Sequence, residues 1–321
     1  MTFSRRHSAF LLIALGLLLI TSTASTQETS KTTQSSNPQP SIVLLNVRVT
    51  NEAGHPVSDV RQEDIRVTED GVPQTISFFS KEEVPLSYGL VIDNSGSMRS
   101  QLDKVLDAGR LIVNGNKPDD ETFLVRFVTS DNIQMVSDFT SNKVALFGGL
   151  DSMFIEGGQT AVIDAVLLSL EYAAKNRKGM DGNRRLALVL VTDGEDRVSR
   201  LKRDELTERL RREDIQIFAI GLVKQIETGK ARDKATELLK FLAQETGGRA
   251  FFPNSGSELR GIAEQITRDL RTQYLVGYIP TTGKVNSNFH KVQVTVAESQ
   301  GKEKRVAVTR VGYIAAPRTN Q

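Results

Sequence analysis

At 321 residues, 39% of them hydrophobic and 25% charged, the chain has the make-up of an ordinary globular protein, with room for one large domain or two modest ones. Its formal net charge of +2 argues against a nucleic acid or an anionic membrane as partner. The absence of cysteine excludes disulfides, thiolate metal sites, thiol catalysis and lipid attachment through an N-terminal Cys.

Arg5 and Arg6 precede an apolar stretch from Ala9 to Ile20 and then the small polar run Thr21-Ser22-Thr23-Ala24-Ser25. That is the order of a secretory signal over 1–24, cleaved after Ala24, and the apolar stretch is shorter than a membrane span needs. Ser4-Arg5-Arg6 leaves both the general and the twin-arginine export routes open. Without those two arginines the basic side chains equal the 39 acidic ones in number, and no stable membrane span is expected after cleavage. An exported protein without disulfides suits a bacterial periplasm or the space outside the cell. Residues 25–40, rich in Ser, Thr, Gln and Pro, read as a flexible linker.

From residue 42 the pattern alternates, with Leu45, Val47 and Val49 between Asn46, Arg48 and Thr50, the period of a strand with one wet face. Residues 51–56 read as a turn, and Glu69-Asp70-Gly71 as the turn of a hairpin between 65–68 and 75–78. The stretch 41–84 is therefore an antiparallel β segment.

At Tyr88 the character changes. Apolar runs at 88–92, 122–128, 186–191, 215–223 and, more weakly, 249–252 alternate with helical patterns, as in a parallel sheet covered by helices. Leu102, Val105, Leu106, Ile112 and Val113 form a helical stripe, with Ser100 and Asp103 as its capping box. Residues 161–174 are apolar almost all round and predict the most buried helix, whereas 201–213 carry a charged, solvated face. A further helix from Asp233 closes at Gly247-Gly248, and Ser255 with Glu258 opens the last one, ending near 272. Alternation returns at 274–279, 292–296 and 306–311, a C-terminal β segment over 273–315 before a short tail, 316–321. The fold class is thus α/β: a doubly wound, mostly parallel, Rossmann-like sheet over 85–272 with flanking antiparallel segments. Because domain termini commonly lie close together, those two segments can combine into one small β-sandwich.

Three stretches carry chemistry. Asp93-Asn94-Ser95-Gly96-Ser97 follows the first apolar strand, Gly157-Gly158-Gln159-Thr160 leads into the buried helix, and Thr192-Asp193-Gly194 ends the 186–191 strand. Loops at the carboxyl ends of parallel strands share one edge, so these oxygens can converge on a hard divalent cation. Read singly, Asp and Ser after a strand are helix caps and Asp-Gly is a turn. The three in this order favour a metal.

In that order and context the stretches resemble the metal-ion-dependent adhesion site (MIDAS) of the von Willebrand factor type A (VWA) domain, over about 85–272. With Glu69-Asp70-Gly71-Val72-Pro73-Gln74, Tyr274-Leu275-Val276-Gly277-Tyr278 and Val311-Gly312-Tyr313, the whole chain resembles exported bacterial VWA-related proteins common in acidobacteria. The resemblance implies that Ser95, Ser97 and Thr160 give hydroxyl oxygens to Mg²⁺, or Mn²⁺, while Asp93 and Asp193 hold it directly or through water. It implies a non-enzymatic adhesion module whose partner protein completes the metal shell with an Asp or Glu carboxylate. Gln159, where that family often has a small residue, could narrow the loop.

A structural or assembly subunit of a cell-envelope complex is the alternative. A hydrolase fits less well: no Gly-x-Ser-x-Gly elbow or Walker loop is present, and Asp93-Asn94-Ser95 lacks the second Asp expected of a phosphatase. His55 in a turn and His290 at a strand start have no metal-ligand spacing and read as surface residues. Phe78-Phe79 and Phe251-Phe252 read as core or interface, and Tyr278 and Tyr313 as packing between the β and α/β parts.

Overall fold

The computed structural model describes residues 42–178, 184–281, 288–298 and 304–315. The expected signal, linker and tail lie outside the described residues. Among the described residues no helix is long and apolar enough to cross a membrane.

The chain begins with four strands: β1 (Val43–Asn51), β2 (Ile65–Glu69), β3 (Val72–Gln74) and β4 (Ile76–Ser80). Asp70 and Gly71, both at positive φ, make the two-residue turn between β2 and β3, whose backbone twist suits a tight hairpin. At Thr75 the chain leaves that hairpin, so β3 and β4 belong to different sheets.

An α/β unit follows. It runs β5 (Leu86–Asp93), α1 (Leu102–Asn114), β6 (Glu121–Phe127), β7 (Ile133–Thr140), α2 (Lys143–Asp151), α3 (Val162–Asn176), β8 (Arg185–Thr192), α4 (Arg203–Arg212), β9 (Gln216–Gly221), α5 (Gly229–Thr246), β10 (Arg249–Phe251) and α6 (Leu259–Arg271). Its six-stranded sheet has the order β10-β9-β8-β5-β6-β7, parallel except for β7 on one edge. Strands β5, β8 and β9 are buried along their whole length because each face carries helices. Tyr88, Leu90 and Ile92 join a core with α1, α2 and α6, while Val91 joins the opposite core with α3, α4 and α5. The order reverses at β5, which lies between β6 and β8, so the loops after β5 and β8 leave side by side.

Four strands close the chain: β11 (Tyr274–Tyr278), β12 (Phe289–Val296), β13 (Arg305–Val308) and β14 (Gly312–Ile314). They interleave with the first four. One sheet is β13-β1-β11-β4 and the other β14-β12-β2-β3, with Leu45 opposite Val276 and Val67 opposite Val294. Inward side chains of both sheets, Leu45, Val47, Ile65, Val67, Val276 and Val294 among them, share one apolar core. The α/β unit is therefore inserted into a β-sandwich.

Polar side chains join the two parts. Arg48 from β1 reaches Asp269 of α6 at 3.9 Å and donates to the Gly248 carbonyl at 3.3 Å, while Arg249 donates to the same Asp269 at 3.4 Å. The Asp269 side chain is 2% exposed, and burial raises its pKa despite the two guanidinium groups. Arg48→Ala is expected to cost about 1–3 kcal/mol in a urea unfolding experiment, because it leaves the buried Asp269 carboxylate with Arg249 as its remaining partner. Replacing both partners, Arg48→Met with Asp269→Leu, is expected to recover most of that loss, and an equal loss in the double variant would refute the account.

Several expectations are corrected. Strand β7 and helix α2 have no counterpart in the sequence reading: β7 is a half-exposed edge strand, and α2 contains two glycines but is fixed by Asn142, whose side chain accepts from the Val144 and Ala145 amides. Neither Ser100 nor Ser255 makes a capping box. Ser100 instead donates to Gln225 Oε1 at 3.1 Å, and the Ser255 hydroxyl pairs with that of Ser257 at 2.7 Å. Residues 306–311 are not one strand but the end of β13 and a link to β14 in the other sheet. Phe78 is 42% exposed rather than core, while Phe79 stacks on Tyr274.

Candidate metal centre

Asp93 ends β5 with no exposed surface. One carboxylate oxygen accepts from the Ser95 amide at 2.9 Å, and the other accepts from the Thr192 hydroxyl at 2.6 Å. Thr192 ends β8, and its hydroxyl also accepts from the Gly194 amide at 2.9 Å. The ends of adjacent strands are thus tied together through one side chain. The Ser95 and Ser97 hydroxyl oxygens lie 3.0 Å apart, the latter on a short 3₁₀ turn anchored by buried Met98.

Burial pushes the Asp93 carboxyl up to about 6, against hydrogen bonds from Ser95 and Thr192 that pull it down, and the neighbouring Asp193 charge adds to the rise. Repulsion between two aspartates is the smaller cause. Desolvation at the buried end of the strand is the larger.

The loop carrying Thr160 is held at both ends. Asn94 donates its side-chain amide to the Phe154 carbonyl at 2.8 Å and accepts at its own carbonyl from the Glu156 amide at 2.9 Å. The Ala161 amide then donates to the Val128 carbonyl at 2.8 Å. Between these anchors Gly158 sits at φ +124°, where a Cβ would lie 2.9 Å from Val128 Cγ1, so a side chain there would be strained on both counts. Gln159 is exposed.

The third loop locks onto the second. The Thr160 carbonyl accepts from the Arg197 amide at 2.9 Å, Asp196 accepts from the Ile163 amide at 3.2 Å, and Asp164 accepts from the Arg200 and Leu201 amides. Asp193 accepts from the Glu195 amide at 3.0 Å. Asp93, Ser95, Ser97, Thr160 and Asp193 therefore lie in loops that meet along one rim of the sheet. Neither Thr160 nor Ser95 is a helix cap, since the residue preceding α3 is Ala161 and Ser95 makes no side-chain cap on its 3₁₀ turn, while Asp93 and Asp193 each also accept from the amide two residues on.

The von Willebrand factor type A domain profile matches residues 89–265, more than half of the chain. The chain belongs to the VWA domain family. VWA domains are protein-interaction modules that often hold a divalent metal at the MIDAS. Among solved structures, the VWA chain is similar to BatB from Bacteroides thetaiotaomicron, at 17% identity over 57% of this chain and 98% of that one, with a TM-score of 0.44. It is similar to proximal thread matrix protein 1 from the mussel byssus with a zinc-occupied MIDAS motif, at 20% identity over 63% and 49% and a TM-score of 0.47. A von Willebrand factor type A protein from Catenulispora acidiphila aligns over 89% of this chain and 76% of its own, at 12% identity and a TM-score of 0.49. Comparison with curated proteins gives no significant match.

The donor set of this VWA rim fits a hard cation. It offers only oxygen, two carboxylates and three hydroxyls, and the 3.0 Å between the serine hydroxyls matches the edge of an octahedron with bonds of about 2.1 Å. Asp93, Ser95, Ser97, Thr160 and Asp193 would hold the ion. Sequence reasoning gave no role to Thr192 or Asn94, the side chains that pin these loops, although both adjoin assigned residues.

A second group was also missed. Glu69, Asp70 and His290 come together in the sandwich, with His290 buried rather than on the surface. His290 Nδ1 lies 3.0 Å from Asp70 Oδ2, and Glu69 accepts from the hydroxyls of Tyr278 at 2.6 Å and Tyr313 at 2.9 Å. The two tyrosines thus belong to the core of the sandwich, where β14 with Tyr313 also lies against α4 of the α/β unit, and burial beside Glu69 raises both of their pKa values.

Proposed function

We propose that this VWA chain is an exported, Mg²⁺-dependent protein-binding module that captures an Asp or Glu side chain of a partner protein. The observation that carries the reading is the pair of serine hydroxyls 3.0 Å apart beside a buried aspartate, on a rim that also holds Thr160 and Asp193. A bound Mg²⁺ supplies a Lewis-acidic position that an incoming carboxylate completes. The neutral hydroxyls of Ser95, Ser97 and Thr160 leave that position electron-poor, and Thr192 and the Ser95 amide hold Asp93 fixed. The reading is of a binder rather than a catalyst, and it is supported by both histidines of the described residues, His55 in a loop of the sandwich and His290 within it, standing in the sandwich rather than on the rim. The basic and apolar start of the chain supports export to the periplasm or beyond.

The test is calorimetry of the purified chain with Mg²⁺ and Mn²⁺, followed by affinity capture from envelope extract. Wild type is expected to take up one ion and to retain a partner in Mg²⁺ that chelator releases, whereas Asp93→Ala does neither. A partner that stays bound through chelation would instead identify a permanent assembly subunit. No ion uptake by the folded protein would end the reading.

A further inference from the structure

A groove of about 380 Å³ starts at Gly194, the residue after Asp193, and runs between the loop Glu195–Arg197 and the first turns of α5. Ile163 and Leu238 contribute to its apolar lining, and Arg197, Lys230 and Lys234 to its polar one. The charges within it are unevenly matched. Arg197 pairs with Glu195, and Asp196 is engaged by the Ile163 amide and the Ser199 hydroxyl. Among the described residues Lys230 and Lys234 have no ion pair, although Arg203 at the start of α4 finds Glu237 on the same helix α5. Four residues apart on a helix, the two lysines stand one turn above the other on a single face. They sit in the first turns of an 18-residue helix, where the backbone dipole adds positive potential of the same sign.

We propose that this groove is an acidic-peptide subsite: the partner segment whose carboxylate reaches the metal rim carries a second Asp or Glu, which Lys230 and Lys234 receive. The inference rests on the function proposed above and adds the chemistry of the partner. Exposed lysines on a helix are ordinarily only solvated. Here they line a concave surface that starts at the residue after Asp193, and its one carboxylate without a cation, Asp196, is already held by the Ile163 amide and the Ser199 hydroxyl, so the groove keeps a net positive charge for a carboxylate of the ligand to meet. An extended chain advances about 3.3–3.6 Å per residue, so a Glu two positions from the metal-binding Asp reaches about 7 Å to either side of it. The apolar lining suits the methylene groups of a glutamate better than a small inorganic anion.

The experiment uses the full chain loaded with Mn²⁺ and three synthetic peptides in a Gly/Ser background: one with a single Asp, and two with a pair of Glu either two residues before or two residues after it. One of the Glu-bearing peptides is expected to bind about fivefold more tightly than the single-Asp peptide at low salt, with the gain falling as salt rises. Lys230→Glu with Lys234→Glu is expected to remove that gain, read as the ratio of Glu-bearing to single-Asp peptide affinity on the same Mn²⁺-loaded variant. Both lysines are exposed, and Lys230→Ala with Lys234→Ala, which carries no new charge, is expected to lose part of the gain. Equal binding of all three peptides to wild type, or a gain that survives in the double Glu variant, would overturn the subsite alone. No Mn²⁺ uptake, or uptake with no peptide bound, would overturn the metal reading and this inference with it.

Discussion

Asp93→Asn is expected to abolish divalent-metal uptake and, in chelator above pH 6, to make the protein more stable than wild type. Asp93 is buried, and its carboxyl is pushed up to about 6 from an ordinary value near 3.8. Between those values the folded protein holds a proton that the unfolded chain has lost. The associated stability is fully present below pH 3.8 and is lost as pH rises through about 6. A shift of that size corresponds to about 2–3 kcal/mol of metal-free stability lost by pH 8. The amide of Asn carries no charge to desolvate and can still accept from the Ser95 amide. It leaves the Thr192 hydroxyl, now bonded to Asp93 at 2.6 Å, without its acceptor, which cuts the net gain to about 1–2 kcal/mol. Urea unfolding in chelator at pH 5 and pH 8 measures both slopes: wild type is expected to weaken more steeply with rising pH than the variant, which keeps only the dependence of other groups such as Asp269. Saturating metal reverses the order. At 100 times its dissociation constant an ion stabilises wild type by about 2.7 kcal/mol and gives the variant nothing. A variant less stable than wild type in chelator at pH 8 would refute this account of the buried aspartate. The same linkage makes proton and metal competitors at Asp93, so metal affinity is expected to fall below pH 6.

Gly248→Ala is expected to cost more than about 3 kcal/mol, the largest stability loss from a single added methyl group proposed for this chain. A Cβ at 248 would lie 2.0 Å from the Ile217 carbonyl oxygen and 2.6 Å from its carbon. Those atoms belong to the backbone of β9, inside the parallel sheet, and cannot swing aside as a flexible side chain would. The Gly248 carbonyl also receives Arg48 from the sandwich, so a displaced strand end disturbs the joint between the two parts. Gly247 differs. It ends α5 at φ +74°, and a Cβ there meets the backbone of Thr309 and Arg310 at 2.6 Å. Alanine at 247 therefore adds a left-handed penalty of about 1 kcal/mol to a clash with the link between β13 and β14. Urea midpoints and far-ultraviolet circular dichroism of both variants measure these losses. A loss under about 1 kcal/mol for Gly248→Ala would mean that the sheet edge yields more easily than the contact distances imply.

The two glycines show how far the sequence could be read. Gly247-Gly248 after a helical stripe signals a helix end, and the helix does end there, because left-handed backbone is a local demand that a local residue choice meets. That the second glycine is required by a strand thirty-odd residues earlier is invisible along the chain. Helix α2 was missed for the converse reason: its glycines argue against a helix locally, and its packing on β6 and β7 with an Asn142 cap outweighs them. The capping boxes expected at Ser100 and Ser255 failed because each serine had a competing polar neighbour, Gln225 and Ser257, for its hydroxyl.

What the sequence by itself determined is what depends on periodicity and on short spacing. Strands apolar on both faces can only be the interior of a helix-covered sheet, and Asp-x-Ser-x-Ser, Gly-x-Thr and Asp-Gly each fix the donors of one loop within a few residues. The tertiary structure alone decided that Thr192 clamps Asp93, that Tyr278, Tyr313 and His290 gather on Glu69 and Asp70, and that two lysines of α5 line the groove that starts at Gly194. Those contacts join residues up to 244 positions apart, as Tyr313 to Glu69 does. They follow from strand order, which is set by how whole faces bury against one another and leaves no mark on the local pattern of any one segment.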